Sequence, residues 1–367
     1  MKTVTLYSAF ASHFLSQIVA GLAELAWHEE IELKFAYSSS RELAKPVAFY
    51  AIWISIEADG NLQWIFIDTL DNGAAFFHEQ LRQCDFYFKR SYLATEVENL
   101  PPILRTKVRP MALNFPVTTP AVGLALRCRR AVLGSNYREH PWIGLRRLAA
   151  SILQDTTIGH RLGMKKPVPT VEDLLGDPNT ATYPLVYFRT RLYGESNVSS
   201  DSDREKKQQL NESRIRLIET LRSSFGDLAY CGLYETKDSY KLAPHLIKHL
   251  PQGYEGLDGH RRFARRCLIN VNNIGVSKSN GWKIPEILAS AACLVTETIS
   301  HEATALPVSG VHALTFEDPA GCVEACTQLL NDPDKATALR VAGFEFFQKN
   351  LLPRDTARDL LNSVAPV

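Results

Sequence analysis

Residues 277–297 read Ser-Lys-Ser-Asn-Gly-Trp-Lys-Ile-Pro-Glu-Ile-Leu-Ala-Ser-Ala-Ala-Cys-Leu-Val-Thr-Glu: a polar loop, a short helix and an apolar strand in succession. A strand buried on both faces reads as a continuous apolar run, and a helix directly before it points to a parallel sheet. The same order recurs along the chain. Strands are expected at Thr3–Tyr7, Ile31–Tyr37, Trp64–Asp68, Asp85–Lys89 and Lys107–Ala112. In the second half they fall at Pro184–Phe188, Asp227–Cys231, Leu268–Val271, 293–296 and 313–316. Helical spacing of apolar residues is expected over Phe14–Trp27, Ala75–Arg82, 121–132, 142–153, Asn211–Ser224, 284–292, 319–331, 334–348 and 354–363. The polar stretch Ser196–Gln209, rich in Ser, Asp, Lys and Gln, reads as a flexible loop.

With 367 residues, 45% of them hydrophobic, the chain suits two domains with sizeable cores. The Asp177-Pro178-Asn179 turn signal marks the boundary, giving residues 1–180, 181–350 and a closing segment 351–367. A net charge of +1 disfavours nucleic-acid partners, since the basic runs at Arg127–Arg130 and Arg261–Arg266 are local. Seven scattered cysteines without a Cys-x-x-Cys pair read as buried thiols of a reducing compartment. No apolar run is long enough to span a bilayer, and the first residues read as a strand rather than a leader, so a cytoplasmic protein is expected. No Gly-x-Gly-x-x-Gly follows the first strand and no P-loop lysine motif occurs, which argues against a nicotinamide or nucleoside-triphosphate enzyme.

The loop before the 284–292 helix carries the most specific chemistry. Gly281 permits close approach of a ligand to the backbone, and the helix start offers free N–H groups. Lys283 adds a positive charge, and Glu286 lies one turn on, on the same face. That combination suits a nucleotide sugar, with Lys283 near the diphosphate and Glu286 accepting from ribose hydroxyls. Taken singly, a Lys–Glu pair at this spacing is an ordinary surface pair. Arg189 and Arg191 flank Thr190 at a strand end, where an arginine fork can hold a phosphate or make an inter-element salt bridge. His301 follows the next strand and is a candidate sugar contact. In the first half, Asp68 and Asp71 end the Trp64–Asp68 strand in Asp68-Thr69-Leu70-Asp71-Asn72-Gly73. Either could serve as a general base or simply as turn and capping chemistry. His13, after the first strand, is a third candidate base.

The segment Trp-Lys-Ile-Pro-Glu-Ile-Leu-Ala followed by Leu-Val-Thr-Glu resembles the donor site of GT-B glycosyltransferases, closest to the group-1-like and CgeB-like branch. The similarity continues through Gly310–Phe316, Glu317-Asp318 and Leu329-Leu330-Asn331-Asp332-Pro333, and begins upstream at Val186–Leu192. It covers roughly 183–365. Over the first half it rests on Asp85–Ser91 and Pro110–Phe115. The resemblance implies two Rossmann-like doubly wound parallel sheets facing a central cleft, with the donor in the second domain and the last helix crossing back to the first. It implies transfer of a sugar from a nucleotide-sugar donor to the hydroxyl of a glycan, lipid-linked or protein acceptor, with Arg189, Arg191, Gly281, Trp282, Lys283, Glu286 and His301 around the donor. No cofactor is expected beyond that co-substrate, and no metal: Asp201-Ser202-Asp203 lies in the polar stretch. Peripheral membrane association is compatible with this reading. Eight positions before Glu286 stands Lys278, so the glutamate pair of many retaining members is absent. The alternatives are a nucleotide-sugar epimerase on the same fold and a catalytically silent sugar-binding module.

Overall fold

A computed structural model describes residues 1–7, 13–36, 50–123, 168–254 and 258–364, together with residues 142 and 149. The chain forms two compact units. One comprises Met1–Asp173, Glu302–Ala305 and Lys349–Val367, the other Leu174–His301 and Leu306–Gln348. The helices expected over 121–132 and 142–153 lie almost wholly outside the described residues.

The first unit holds strands β1 (Lys2–Tyr7), β2 (Ile31–Ala36), β3 (Ala51–Ala58), β4 (Asn61–Asp68), β5 (Phe86–Lys89) and β6 (Val108–Pro110), with helices α1 (Ser16–Trp27) and α2 (His78–Gln83). They make a six-stranded sheet ordered β2-β1-β3-β4-β5-β6. The sheet is mixed where a parallel one was expected, because β3 runs antiparallel to both β1 and β4. A two-residue turn joins β3 to β4, with Asp59 at φ 52° and Gly60 at φ 79°. Positive φ at both positions matches the right-handed twist of a hairpin, and Asp-Gly is the sequence signal for it. β4 is accordingly longer than expected, and β3, an apolar run of Ala51-Ile52-Trp53-Ile54-Ser55-Ile56, was not anticipated.

The second unit begins with β7 (Tyr183–Thr190) and continues through α3 (Asp201–Phe225), β8 (Ala229–Leu233), α4 (Lys237–Leu242), α5 (Gly259–Ala264), β9 (Cys267–Asn272), α6 (Lys283–Ala289), β10 (Cys293–Glu297), β11 (Leu314–Phe316), α7 (Pro319–Asn331) and α8 (Pro333–Asn350). Its strands run parallel in the order β11-β10-β9-β7-β8. From β7 the chain winds one way to β8 and then returns past it to β9, β10 and β11. This is a doubly wound sheet, whose switch point lies between β7 and β9. Leu217, Ile218 and Leu221 of α3 and Cys322, Cys326 and Leu329 of α7 pack on one core with Phe188, Val271 and Val295.

The polar stretch expected as a loop is helical from Asp201 onward. The Ser200 side chain accepts from the Asp203 N–H, closing the first turn, and Lys207 pairs with Asp203 one turn back at 2.7 Å. Glu, Lys and Gln are good helix formers, and the downstream apolar stripe anchors what they extend. Among the described residues no helix is long and apolar enough to cross a membrane.

The final helix, α9 (Pro353–Ser363), belongs to the first unit and packs on α1. Gly21 makes the crossing close: a Cβ there would stand 2.0 Å from the Pro353 carbonyl oxygen. Beside it Gln17 Nε2 donates to the Leu351 carbonyl at 3.3 Å, and Glu30 accepts from Arg354 and Arg358 at 2.6 and 2.8 Å. Gly21→Ala is expected to destabilise the first unit by about 1–3 kcal/mol through overpacking against backbone that cannot give way. Urea denaturation of the two proteins measures it, and an unchanged midpoint would show that α9 is not seated as described.

Candidate active site

Ligands of a doubly wound sheet lie outside the carboxyl ends of its strands at the switch point. In the second unit that place is the end of β7 and β9, and Lys283 is anchored there. Its Nζ donates to the main-chain carbonyl of Arg189, the next-to-last residue of β7. The ammonium lies 5.6 Å from the Phe188 ring centroid and 5.8 Å from that of Tyr234. Among the described residues no carboxylate comes within ion-pair distance of it. Burial, and after it the charge of Arg214, push the Lys283 ammonium down to about 7, helped by Arg189 and opposed by Glu286. Glu286, half-buried one turn along α6, has its carboxyl raised above the usual range by burial, against the pull of Arg261 and Lys283. Among the described residues its ionic partner is Arg261, at 3.5 Å.

The two strand-end arginines have separate fates. Arg189 is buried; its Nη2 meets Glu235 at 2.8 Å, and its guanidinium lies 4.8 Å from the Tyr234 ring centroid. The side chain is thus committed to the protein, and it is the Arg189 carbonyl that serves the site. Arg191 is exposed beyond the strand, with its guanidinium 4.9 Å from the Tyr193 ring centroid and Nη2 3.4 Å from the Tyr193 hydroxyl.

Gly281 has a different reason from the expected one. A Cβ there would fall 2.8 Å from Asn272 Oδ1, and Asn272 is held by its own bond to Thr296 Oγ1 at 3.0 Å. The glycine makes room for a β9 side chain. Trp282, half-buried, immediately precedes α6. The loop before it carries Ser277 and Lys278 at φ 56° and 59°, two consecutive non-glycine residues in the left-handed region. Each costs about 1–2 kcal/mol. Three bonds hold the strained turn: Gly275 N–H to the Ser279 carbonyl at 2.8 Å, Ser300 Oγ to the Lys278 carbonyl at 3.1 Å, and Asn280 Nδ2 to the His301 carbonyl at 2.9 Å. His301 is buried and clamps this loop through its main chain.

In the first unit, Asp68 ends β4 fully buried. Its Oδ2 accepts from the Tyr87 hydroxyl at 2.6 Å and from Lys89 Nζ at 2.9 Å, and its Oδ1 accepts from the Leu70 N–H at 2.8 Å. Three donors and complete burial make Asp68 a structural ion-pair partner of Lys89. Asp71 pairs with Arg90 but keeps 43% of its side chain exposed, so water and substrate can reach it. His13 is exposed at the start of a short 3-10 turn, its ring 5.7 Å from that of Phe14.

Arg214, Tyr234, Arg261 and Glu297 were missed from sequence. Arg214 had a signal: it occupies a core position in the stripe Leu210, Arg214, Leu217, Ile218 and Leu221 of α3, all buried. A charge at such a position is rare unless it has work there. Tyr234 follows β8, Arg261 lies on α5 and Glu297 ends β10; only the folded sheet brings Tyr234 to Lys283 and Arg261 to Glu286.

A family model described as "Glycosyl transferase-like" matches residues 233–362, which include α6 and its loop but less than half of the chain. No curated protein sequence matches. Among solved structures, the chain is similar to sucrose-phosphate synthase from Thermosynechococcus elongatus, at 10% identity over 94% of this chain and 91% of that one, with a TM-score of 0.37. It is similar to the pneumococcal O-GlcNAc transferase GtfA in complex with UDP and GlcNAc, at 10% identity over 88% and 68%, TM-score 0.34. A third is a UDP-N-acetylglucosamine 2-epimerase assignment from Listeria monocytogenes, at 9% identity over 97% and 94%, TM-score 0.35.

The part-buried Lys283 makes stability depend on pH. Its folded-state pKa, about 7, lies below the unfolded value of 10.5, so between these limits the unfolded chain binds more protons. Stability of the free protein should therefore rise from pH 7.5 to 9.5 relative to Lys283→Met, with a limiting slope of about 1.4 kcal/mol per pH unit. Urea midpoints of both proteins at the two pH values test this, and parallel behaviour would show an ordinary, solvated lysine.

Proposed function

We propose that this chain is a glycosyltransferase that carries a sugar from a nucleotide-sugar donor to an acceptor hydroxyl. The observation that carries the reading is Lys283: a cation without an ionic partner among the described residues, at the switch point of a doubly wound sheet, inside the segment matched by a glycosyl transferase-like model. A part-buried ammonium with no carboxylate at ion-pair distance among the described residues suits an anion that arrives with the ligand. A diphosphate fits, and Glu286, whose second oxygen is uncommitted, is proposed to accept from the ribose hydroxyls.

In the reaction the acceptor oxygen bonds to the anomeric carbon as the bond from that carbon to the diphosphate oxygen breaks. The electron pair leaves with the diphosphate, and protonated Lys283 stabilises the charge that develops. The acceptor proton passes to a carboxylate, for which Asp71 is the proposed base. No step calls for a metal ion. The acceptor is proposed to be a glycan, lipid-linked or protein hydroxyl. A cytoplasmic setting is supported by six described cysteines that are all buried free thiols.

A panel of nucleoside diphosphates and nucleotide sugars, followed by thermal unfolding, tests the reading. At about 100 times its dissociation constant, the right ligand should stabilise the fold by about 2.7 kcal/mol, and Lys283→Ala should abolish the shift. Asp71→Asn should leave that shift intact while lowering turnover about 10²- to 10⁴-fold. Consumption of the nucleotide sugar without an acceptor would point to epimerisation, and the absence of any shift would sink the donor-site reading.

A further inference from the structure

The loop 69–77 joins β4 to α2 and carries Asp71. Three buried side chains, Asp68, Tyr87 and Lys89, spend polar atoms on its backbone. At the entry, Asp68 Oδ1 accepts from the Leu70 N–H at 2.8 Å. At the exit, Lys89 Nζ donates to the Ala75 carbonyl at 2.6 Å, and the Tyr87 hydroxyl accepts from the Phe77 N–H at 3.2 Å. The three side chains meet at one atom, Asp68 Oδ2, which accepts from both Tyr87 and Lys89. Aromatic packing closes the exit further. Lys89 Nζ stands 4.7 Å from the Phe76 ring centroid, and the Phe77 ring meets Phe66 edge-on with centroids 5.5 Å apart.

Between these pinned ends, Asp71 pairs with Arg90, whose main-chain N–H donates to the Asp68 carbonyl at 2.9 Å. Gly73 is wedged against the chain after β5, where a Cβ would fall 2.5 Å from Leu93 Cδ1. Net stability does not call for such an arrangement, since apolar residues of similar size often replace a buried ion pair without loss. A polar network in which every member is satisfied does something else: it holds one conformation. A general base needs that, because it must stay within hydrogen-bond reach of the proton it takes, and a misplacement of about 1 Å can cost about 10²-fold in rate.

We propose that Tyr87, Asp68 and Lys89 are positioning residues, which clamp the loop 69–77 at both ends so that Asp71 keeps one place at the carboxyl end of β4. This rests on the assignment of Asp71 as the base in the reading above. Their action runs through the loop backbone, at Leu70, Ala75 and Phe77.

A double-mutant cycle on the full chain tests the assignment. Turnover is read as release of nucleoside diphosphate from a panel of UDP-, GDP- and dTDP-linked hexoses, with water in the acceptor's place. Tyr87→Phe removes the bond to Phe77 and keeps the Asp68–Lys89 pair. It should lower kcat about 10- to 100-fold and leave KM for the donor unchanged. In an Asp71→Asn background the same substitution should cost nothing further, because a misplaced loop matters only while the base is present. A merely structural tyrosine gives a lower melting temperature with wild-type kcat in the folded protein, or a loss that multiplies with that of Asp71→Asn. Either result overturns the inference and leaves the transferase reading standing. If Tyr87→Phe does not fold, Asp68→Leu combined with Lys89→Met decides by the same cycle, since it removes both charges together. If Asp71→Asn turns over like wild type, the base assignment and this inference fall while the donor site stands. If wild type cleaves no member of the panel, the transferase reading falls with them.

Discussion

The second unit is organised around one hydrogen bond, from the Lys283 ammonium to the main-chain carbonyl of Arg189. It ties the first residue of α6 to the end of strand β7, and so fixes where the helix and its preceding loop stand relative to the switch point. The Arg189 side chain turns to Glu235 and the Tyr234 ring, which steadies the carbonyl that Lys283 needs. The loop 275–282 is held by main-chain and side-chain bonds despite two left-handed residues. Strain of that kind persists only where the surroundings over-determine the conformation, and it clusters at ligand sites.

The two units treat charge at their strand ends in opposite ways. In the first, Lys89 ends β5 and Arg90 follows it, and each meets a carboxylate, Asp68 and Asp71 respectively, so the cations are neutralised within the protein. The Asp68–Lys89 pair is fully buried, and the Tyr87 hydroxyl, donating to the same oxygen, is pushed far up by burial and by that charge. Removing either partner would strand the other charge in the core. In the second unit Lys283 and Arg214 each donate to a main-chain carbonyl beside aromatic rings, and among the described residues neither has a carboxylate at ion-pair distance. The first pattern builds a rigid strand end; the second leaves a deficit of negative charge at a fixed position.

Much of the fold was legible in the sequence because parallel strands are continuous apolar runs and helices keep a regular period. β7 to β11 fall close to the expected spans for that reason. Two readings failed physically. The hairpin of β3 and β4 hid in an apolar run whose Asp59-Gly60 turn signal was not weighted, and with it the mixed character of the first sheet. The polar start of α3 looked like a loop because its stability comes from capping, an i,i+4 ion pair and the stripe downstream, not from apolar period.

Within the site, sequence alone determined that Lys283 and Glu286 share one face of a helix that follows a polar loop, since helical geometry fixes the relation of residues three apart. It could not determine what those side chains meet. Gly281 answers to Asn272, Asp68 to Lys89 and Tyr87, and Arg189 to Glu235, each partner many residues away. Whether a charged side chain is a ligand-binding group or a structural one depends on whether the fold brings it an opposite charge. That is a property of long-range proximity, so only the tertiary structure decided it, committing Asp68 to the core and leaving Lys283 and Arg214, among the described residues, with no carboxylate at ion-pair distance.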